Sequence, residues 1–157
     1  MNEPKEWSDP RAWNITGEPC PPHVWDIIQA NYIPALRKLL ELHGVALVPS
    51  GRSCYRPVTW ERAKGRNGRS FHCFPVGSLG ACDLVMAGGL PLNAAAVHAL
   101  RMSSPFTRVC HYPNNGFAHV DFGGPGARKR AGRSFYTCKA PTAPWVFVGD
   151  MAAMPRA

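Results

Sequence analysis

The segment 107–122 places the strongest constraint on how this chain can fold. Two runs of β-favouring residues, 107–112 and 117–122, flank the sequence Pro-Asn-Asn-Gly at 113–116. Turn formers between two such runs are typical of a β-hairpin. The sequence therefore predicts two antiparallel strands joined by this turn.

Helical periodicity precedes the hairpin in two places. Apolar residues recur at three- and four-residue steps over 24–42, and Gly44 stands at the position of a C-cap. Pro34 lacks a backbone donor, so we expect a kink or two helices meeting there. A second helix is predicted over 91–102, with a proline near its first turn.

Together these elements predict a single α+β domain. Short apolar runs at 45–48 and 80–86 are expected to add strands, which gives a small antiparallel sheet packed against N-terminal and middle helices. A chain of 157 residues, 45% of them hydrophobic, can bury one sizeable core. Residues 1–22 are expected to form an irregular N-terminal arm over the surface, and 124–157 a basic, proline-containing C-terminal extension.

Three side chains that can bind zinc lie among apolar and small residues: His72, Asp83 and His119. Zinc accepts imidazole nitrogen and carboxylate oxygen, and three protein ligands leave a fourth position for water. The alternative for each histidine is a hydrogen-bonded core residue, and this is the interpretation kept for His23, His43 and His98. The set predicts one Zn²⁺ per chain, in a cleft carried by the sheet.

The charge of the chain is strongly positive. Eighteen Lys and Arg against ten Asp and Glu give +8, with basic runs at 62–69 and 127–133. Such a surface attracts nucleic acid, anionic lipid or acidic wall polymers, and the alternative is solvated loops. Because no basic helix, zinc-finger pairing or aromatic RNA-binding signature accompanies the runs, no specific nucleic-acid partner is predicted.

The six cysteines are scattered singly, without a CxxC pair. This argues against a cysteine-based structural zinc site, and free buried thiols are expected. If a disulfide forms, Cys73 with Cys82 is the first candidate. No apolar run reaches eighteen residues and the start lacks the pattern of a signal peptide, so we expect no membrane span and no export signal. We expect a monomer.

Four segments are similar, in order and residue type, to the motifs of one family: Ser53-x-Tyr55-Arg56, Ser70-x-His72, Gly80-Ala81-x-Asp83 and Phe117-x-His119-Val120-Asp121. They resemble the zinc D-alanyl-D-alanine carboxypeptidases and phage L-alanyl-D-glutamate endopeptidases, the LAS-type metallopeptidases. Arg56 and His72 also have the family's usual separation of sixteen positions, 72 minus 56. The resemblance covers residues 24–122.

The resemblance implies roles for further residues. Arg56 would pair with the oxyanion of the reaction or with a substrate carboxylate. Asp121 would act as the general base, or else only orient a zinc ligand. Candidate substrate contacts are Tyr55, Ser70 and His111, with packing as the alternative for Tyr55 and a cap on the sheet edge as the alternative for His111.

The sequence departs from the family pattern at two places. Ten residues lie between His72 and Asp83, where the family usually has six, so we expect 75–78 to bulge out as a turn. Many members place a carboxylate base three residues before the last zinc histidine, and that position is Gly116 here. Either Asp121 serves as the general base, or Glu61 extends into the site and does so, or the enzyme is weak or inactive.

The expected function follows from the resemblance. It implies a zinc peptidase that hydrolyses stem peptides of bacterial peptidoglycan, as an endopeptidase or a DD-carboxypeptidase. Since no signal peptide is expected, the hypothesis is a phage or prophage lysin that is held in the host cytoplasm before lysis or carried on the virion. The alternative is an inactive zinc-stabilised module that binds the cell wall or belongs to a virion, and a nucleic-acid-binding protein ranks last.

Overall fold

The computed structural model describes residues 2–124 and 132–151. Its helical elements are α1 (Pro22–Ile27), a π turn (Ile28–Tyr32), α2 (Ile33–His43), α3 (Val58–Ala63) and α4 (Ala94–Ser103). There are also four short 3₁₀ turns: Lys5–Ser8, Pro10–Trp13, Ser50–Arg52 and Phe71–Cys73. The strands are β1 (Leu47–Pro49), β2 (Ala81–Met86), β3 (Arg108–Tyr112), β4 (Phe117–Asp121), β5 (Ser134–Thr137) and β6 (Val146–Asp150).

The strands form one six-stranded sheet in the order β1-β2-β4-β3-β5-β6. All neighbours are antiparallel except β3 and β5, which run parallel. The α+β class is confirmed, whereas the expected small antiparallel sheet is instead a mixed sheet of six strands. Parallel pairing is possible because β4 runs antiparallel to β3. It brings the chain back to the end of the sheet where β3 begins, and β5 can start there.

The hairpin and the first helical segment form as predicted. β3 and β4 pair from Arg108 with Asp121 to Tyr112 with Phe117. The π turn joins α1 to α2 without a break, and Pro34, which has no backbone donor, follows it directly at the start of α2. Gly44 ends α2 in the left-handed region at φ 64°.

The sheet has two faces with different partners. Side chains alternate along β3, and the buried Val109 belongs to the main core that the helices share. Its neighbours Cys110 and Tyr112 belong to a second, smaller cluster with Tyr136 and Cys138. The opposite face is therefore not covered by the helical core, and the candidate site lies there.

The N-terminal segment was predicted to wrap irregularly over the surface, but it contributes to the core. The segment contains two 3₁₀ turns, and Trp7 and Trp13 are buried in the main core. The indole of Trp7 donates to the carbonyl of Leu47, and that of Trp13 to the carbonyl of Glu6. The arm is part of the domain because burial of two large aromatic side chains outweighs its lack of periodicity.

The prediction of a C-terminal extension is also wrong where the structure describes it. β5 and β6 continue the sheet beyond β3, and Phe135 and Met151 enter the main core. Most of the basic run 127–133 lies outside the described residues.

All six cysteines are free and buried, which agrees with the expected thiols, and the candidate pair Cys73 and Cys82 is not joined. Burial raises the pKa of the Cys20 and Cys110 thiols to about 12. Among the described residues, no helix combines the length and apolarity needed to cross a membrane.

Candidate metal centre

The three predicted ligands come together on the open face of the sheet. Asp83 on β2 and His119 on β4 are direct cross-strand partners, and such partners have Cβ atoms about 4.5–5.5 Å apart. His72 arrives from the 3₁₀ turn Phe71–Cys73, whose first donor is capped by Ser70. The backbone N–H of Arg56 donates to the carbonyl of His72 and fixes this turn beside the sheet.

The separations between ligand atoms fit a small metal ion. Asp83 Oδ1 lies 3.4 Å from His72 Nε2 and 3.4 Å from His119 Nδ1, and all three atoms lie within 4.8 Å of one another. Atoms bound at about 2.0–2.2 Å in tetrahedral zinc sites lie roughly 3.3–3.6 Å apart. The cluster is largely buried, with the His119 side chain 12% exposed.

Each imidazole is oriented by a hydrogen bond at its other nitrogen. His72 Nδ1 lies 2.8 Å from the carbonyl oxygen of Cys54, and His119 Nε2 lies 2.8 Å from Asp121 Oδ2. Both partners are acceptors, so each imidazole donates there and turns its other nitrogen toward Asp83 Oδ1. Metal-bound histidines in proteins are held in this way.

The second oxygen of Asp83 begins a chain of charged contacts, which we call the Arg56 arm: Asp83, Ser53, Arg56, Glu61 and Arg66. Asp83 Oδ2 accepts from Ser53 Oγ at 2.9 Å and from Arg56 at 3.0 Å. The fully buried Glu61 accepts from Arg56 at 3.4 Å and from Arg66 at 3.2 Å. The arm ends in solvent, because the Arg66 side chain is 54% exposed.

A second chain, the Arg108 arm, supports His119 and consists of Asp121, Arg108, Phe71 and Trp145. Arg108 donates to both oxygens of Asp121, at 2.9 and 2.7 Å. Its guanidinium carbon lies 5.4 Å from the Phe71 ring centroid and 5.2 Å from the Trp145 ring. Asp121 is fully buried, so its charge is satisfied within the protein.

These contacts set the charge states of the metal-free site. Burial raises the pKa of Asp83, but His72 and His119 outweigh it and hold the pKa well below its ordinary value. Burial likewise raises the pKa of Asp121, and hydrogen bonds from His119 and Arg108 bring it well below its usual range. Burial lowers the pKa of His119, whereas Asp121 and Asp83 raise it to about 9.

The longer connection between His72 and Asp83 is accommodated as predicted. Residues 75–78 form a turn closed by a hydrogen bond from Ser78 N to the carbonyl of Pro75. The side chain of Val76, at the tip of this turn, is fully exposed. The additional residues therefore leave the ligand cluster undisturbed.

Gly116 cannot be replaced by an acidic residue without strain. Its φ is +76°, and a Cβ atom there would lie 2.7 Å from the Cβ of Pro91. The hairpin geometry therefore requires glycine at the position where many family members carry a carboxylate.

The structure brings only some of the other predicted residues to the cluster. Arg56 contacts Asp83, and Ser70 caps the turn of His72. Tyr55 packs on Phe74, with ring centroids 6.0 Å apart, rather than facing the metal ligands.

His111 is not brought to the site. It pairs with Ala118, so strand alternation places it on the opposite face from His119.

Three contributors carry no role in the sequence analysis: Ser53, Arg108 and Trp145. Ser53 belongs to a motif segment, but its bond to Asp83 Oδ2 depends on the fold. The predicted hairpin would have paired Arg108 with Asp121, had its register been counted from the turn. No sequence pattern indicated a role for Trp145, because it lies in the segment predicted to be a C-terminal extension.

Comparison of the chain with protein-family models, with curated proteins and with solved structures gives no match.

Proposed function

We propose that the protein is a zinc-dependent peptidase that hydrolyses stem peptides of bacterial peptidoglycan. The observation that carries this proposal is the cluster of His72 Nε2, Asp83 Oδ1 and His119 Nδ1. Each imidazole is oriented by a hydrogen bond at the nitrogen that faces away from the cluster. Such a three-ligand set leaves a coordination position for the reaction.

The substrate class rests on the resemblance to the LAS-type metallopeptidases. In support, the segments that carry the resemblance lie together in the fold, although they are spread over residues 53–121. Ser53 and Arg56 contact Asp83, and Arg56 contacts the turn of His72. Residues of the four segments therefore contact one another in the fold.

Zinc, when bound, would lower the pKa of a water molecule and polarise a peptide carbonyl. His72, Asp83 and His119 would hold the ion, and the carboxylate of Asp121 would keep His119 in the tautomer with Nδ1 available. Arg56 compensates the charge of Asp83 and, with its side chain 19% exposed, also offers a cation to a substrate oxygen.

The general base is the open part of this mechanism. Three carboxylates belong to the cluster or to its two arms, Asp83, Asp121 and Glu61, and each has both oxygens in contacts. Asp121 lies on the far side of His119 from Asp83, which favours the orienting role over that of base. Glu61 would serve as base only after releasing Arg56 or Arg66.

This arrangement also favours a second candidate function. A zinc-stabilised cell-wall-binding or virion module would keep the metal cluster but need no carboxylate with an uncommitted oxygen. The Gly116 turn, which has no room for one, is the observation in its favour.

The expected setting is bacteriophage lysis. Under this proposal the protein accumulates in the host cytoplasm or is carried on the virion and then acts on the wall. The charge of +8 would favour contact with an anionic wall.

The test is digestion of purified peptidoglycan by the zinc-loaded protein, with and without a chelator, followed by mass spectrometry. New peptide ends that disappear with the chelator are expected, and their position names the bond that is cut. Bound zinc with no new ends would contradict the peptidase and favour the binding module instead.

A further inference from the structure

A cavity lies beside the metal cluster and has no role in the function proposed above. Its volume is ≈ 490 Å³, and its walls are formed by Phe71, Arg108, His119, Tyr136, 143–144 and Trp145. This size lies within the ordinary range of ligand sites. Because His119 is both a wall of the cavity and a candidate metal ligand, a ligand bound there would lie next to the reacting bond.

Trp145 is held firmly against the metal cluster. Its indole Nε1 donates to the hydroxyl of Tyr112 at 2.7 Å, and its ring centroid lies 5.0 Å from that of His119. The loop that carries it is closed by a hydrogen bond from Ala143 N to the carbonyl of Ala140, and the buried Cys138 Sγ lies 2.9 and 3.3 Å from the carbonyl oxygens of Ala140 and Ala143. A ring fixed in advance loses little entropy when a ligand binds.

The chemistry of the cavity selects a neutral ligand. Among the described residues of its walls, two are basic, Arg108 and His119. The bidentate contact with Asp121 compensates the charge of Arg108, and His119 is paired with Asp121 and Asp83. The remaining surface is mostly aromatic, from Phe71, Tyr136 and Trp145. Aromatic faces favour flat C–H surfaces, while the Tyr136 hydroxyl and the terminal nitrogen of Arg108 not used by Asp121 can meet polar groups at a ligand's edge.

We propose that this aromatic cavity binds a neutral sugar ring of the substrate. A pyranose ring has C–H faces and a polar edge, and it matches the walls better than a charged peptide side chain does. The inference rests on the proposed function, since it identifies the ring as the glycan sugar to which the stem peptide is attached. Trp145 would then determine specificity for peptides still joined to the glycan.

The test measures binding without hydrolysis. The full-length protein is titrated in a calorimeter with peptide-free glycan fragments, prepared from peptidoglycan by removing every stem peptide with an amidase. Saturable binding is expected for the wild type. Trp145→Leu, which keeps apolar bulk but removes the ring, should weaken it at least tenfold, and Trp145→Phe should weaken it less.

Two variants serve as controls, and the zinc content of every variant is measured. Tyr112→Phe removes the anchor of the indole but keeps both rings, so it should weaken binding less than Trp145→Leu. Val146→Ser changes the exposed neighbour of Trp145, which does not line the cavity, and should leave binding unchanged. Unchanged zinc content would show that the surroundings of His119 are intact.

The outcomes separate this inference from the proposed function. No saturable glycan binding, or equal binding by wild type and Trp145→Leu, overturns the sugar site even if stem peptides are cut. Trp145-dependent glycan binding without any hydrolysis upholds the sugar site and refutes the peptidase. Equal kcat/KM for glycan-linked and free stem peptides would also overturn it, because the site predicts a preference for the linked form.

Discussion

The two arms that support the metal cluster differ in how they end. The Arg56 arm alternates charges from Asp83 to Arg66 and ends in solvent. The Arg108 arm is short, and the rings of Phe71 and Trp145 lie beside its guanidinium. The two arginine side chains are similarly exposed, 19% for Arg56 and 16% for Arg108, so the arms differ in what they hold. Arg108 makes a bidentate ion pair that fixes the carboxylate behind His119, whereas Arg56 makes a single contact with Asp83 and keeps donors for a substrate.

The largest expected effect comes from removing one of the candidate metal ligands themselves. His72→Ala or Asp83→Ala should abolish stoichiometric zinc binding and all hydrolysis, a greater loss than the roughly 10–100-fold that follows loss of a ligand's hydrogen-bond partner. Elemental analysis of the purified variants is the measurement. His23→Ala, at an exposed histidine on α1, is the matched control, and full zinc content in His72→Ala would rule out the proposed ligand set.

The second effect is the dependence of zinc affinity on pH. The pKa of His119 in the metal-free protein is raised to about 9, so below that pH zinc must displace a proton from the imidazole. Apparent affinity should therefore rise about tenfold per pH unit from this group as pH increases toward 9. Competition with a chromophoric chelator between pH 6 and 8.5 measures the slope, and an affinity that does not change with pH would contradict the charge states described above.

The third prediction separates the two roles considered for Asp121. If it orients His119, Asp121→Asn should weaken zinc binding by about 10–100-fold. Asp150→Asn, at an exposed carboxylate on β6, is the control and should retain wild-type affinity. A variant with wild-type zinc affinity but much slower hydrolysis would instead make Asp121 the general base.

The smallest effects on zinc binding distinguish the arms directly. Arg108→Gln should reduce zinc affinity by about tenfold, because Asp121 loses its bidentate partner. Arg56→Gln should change zinc affinity by less than that and reduce kcat/KM by on the order of 10²-fold, as expected for loss of a stabilising cation. Chelator competition and steady-state kinetics on both variants provide the comparison. Equal losses of affinity would remove the distinction between the arms.

The sequence was sufficient to predict the three side chains of the cluster, because each lies in a short segment with strong local signals. Alternation around His119 and the 113–116 turn defined the β3–β4 hairpin, and Asp83 lies on a predicted strand. The position of the 75–78 bulge could be predicted as well, since the four additional residues could leave the cluster undisturbed only by extending to the surface.

The remaining parts depend on contacts between distant residues. Nothing local indicates that Trp7 donates to Leu47, or that β5 joins β3 in parallel. The contact of Trp145 with Arg108 and His119 was missed for the same reason, because it depends on the pairing of β5 with β3. Apolar Val146 and its two neighbours did offer a strand signal that the sequence analysis left unused.

The most direct test of the account is a crystal structure of the zinc-loaded protein with anomalous data collected at the zinc edge. We expect one anomalous peak per chain within about 2.0–2.2 Å of His72 Nε2, Asp83 Oδ1 and His119 Nδ1. No peak at these three atoms, or a zinc ion held elsewhere on the chain, would contradict the metal centre and the peptidase proposed from it.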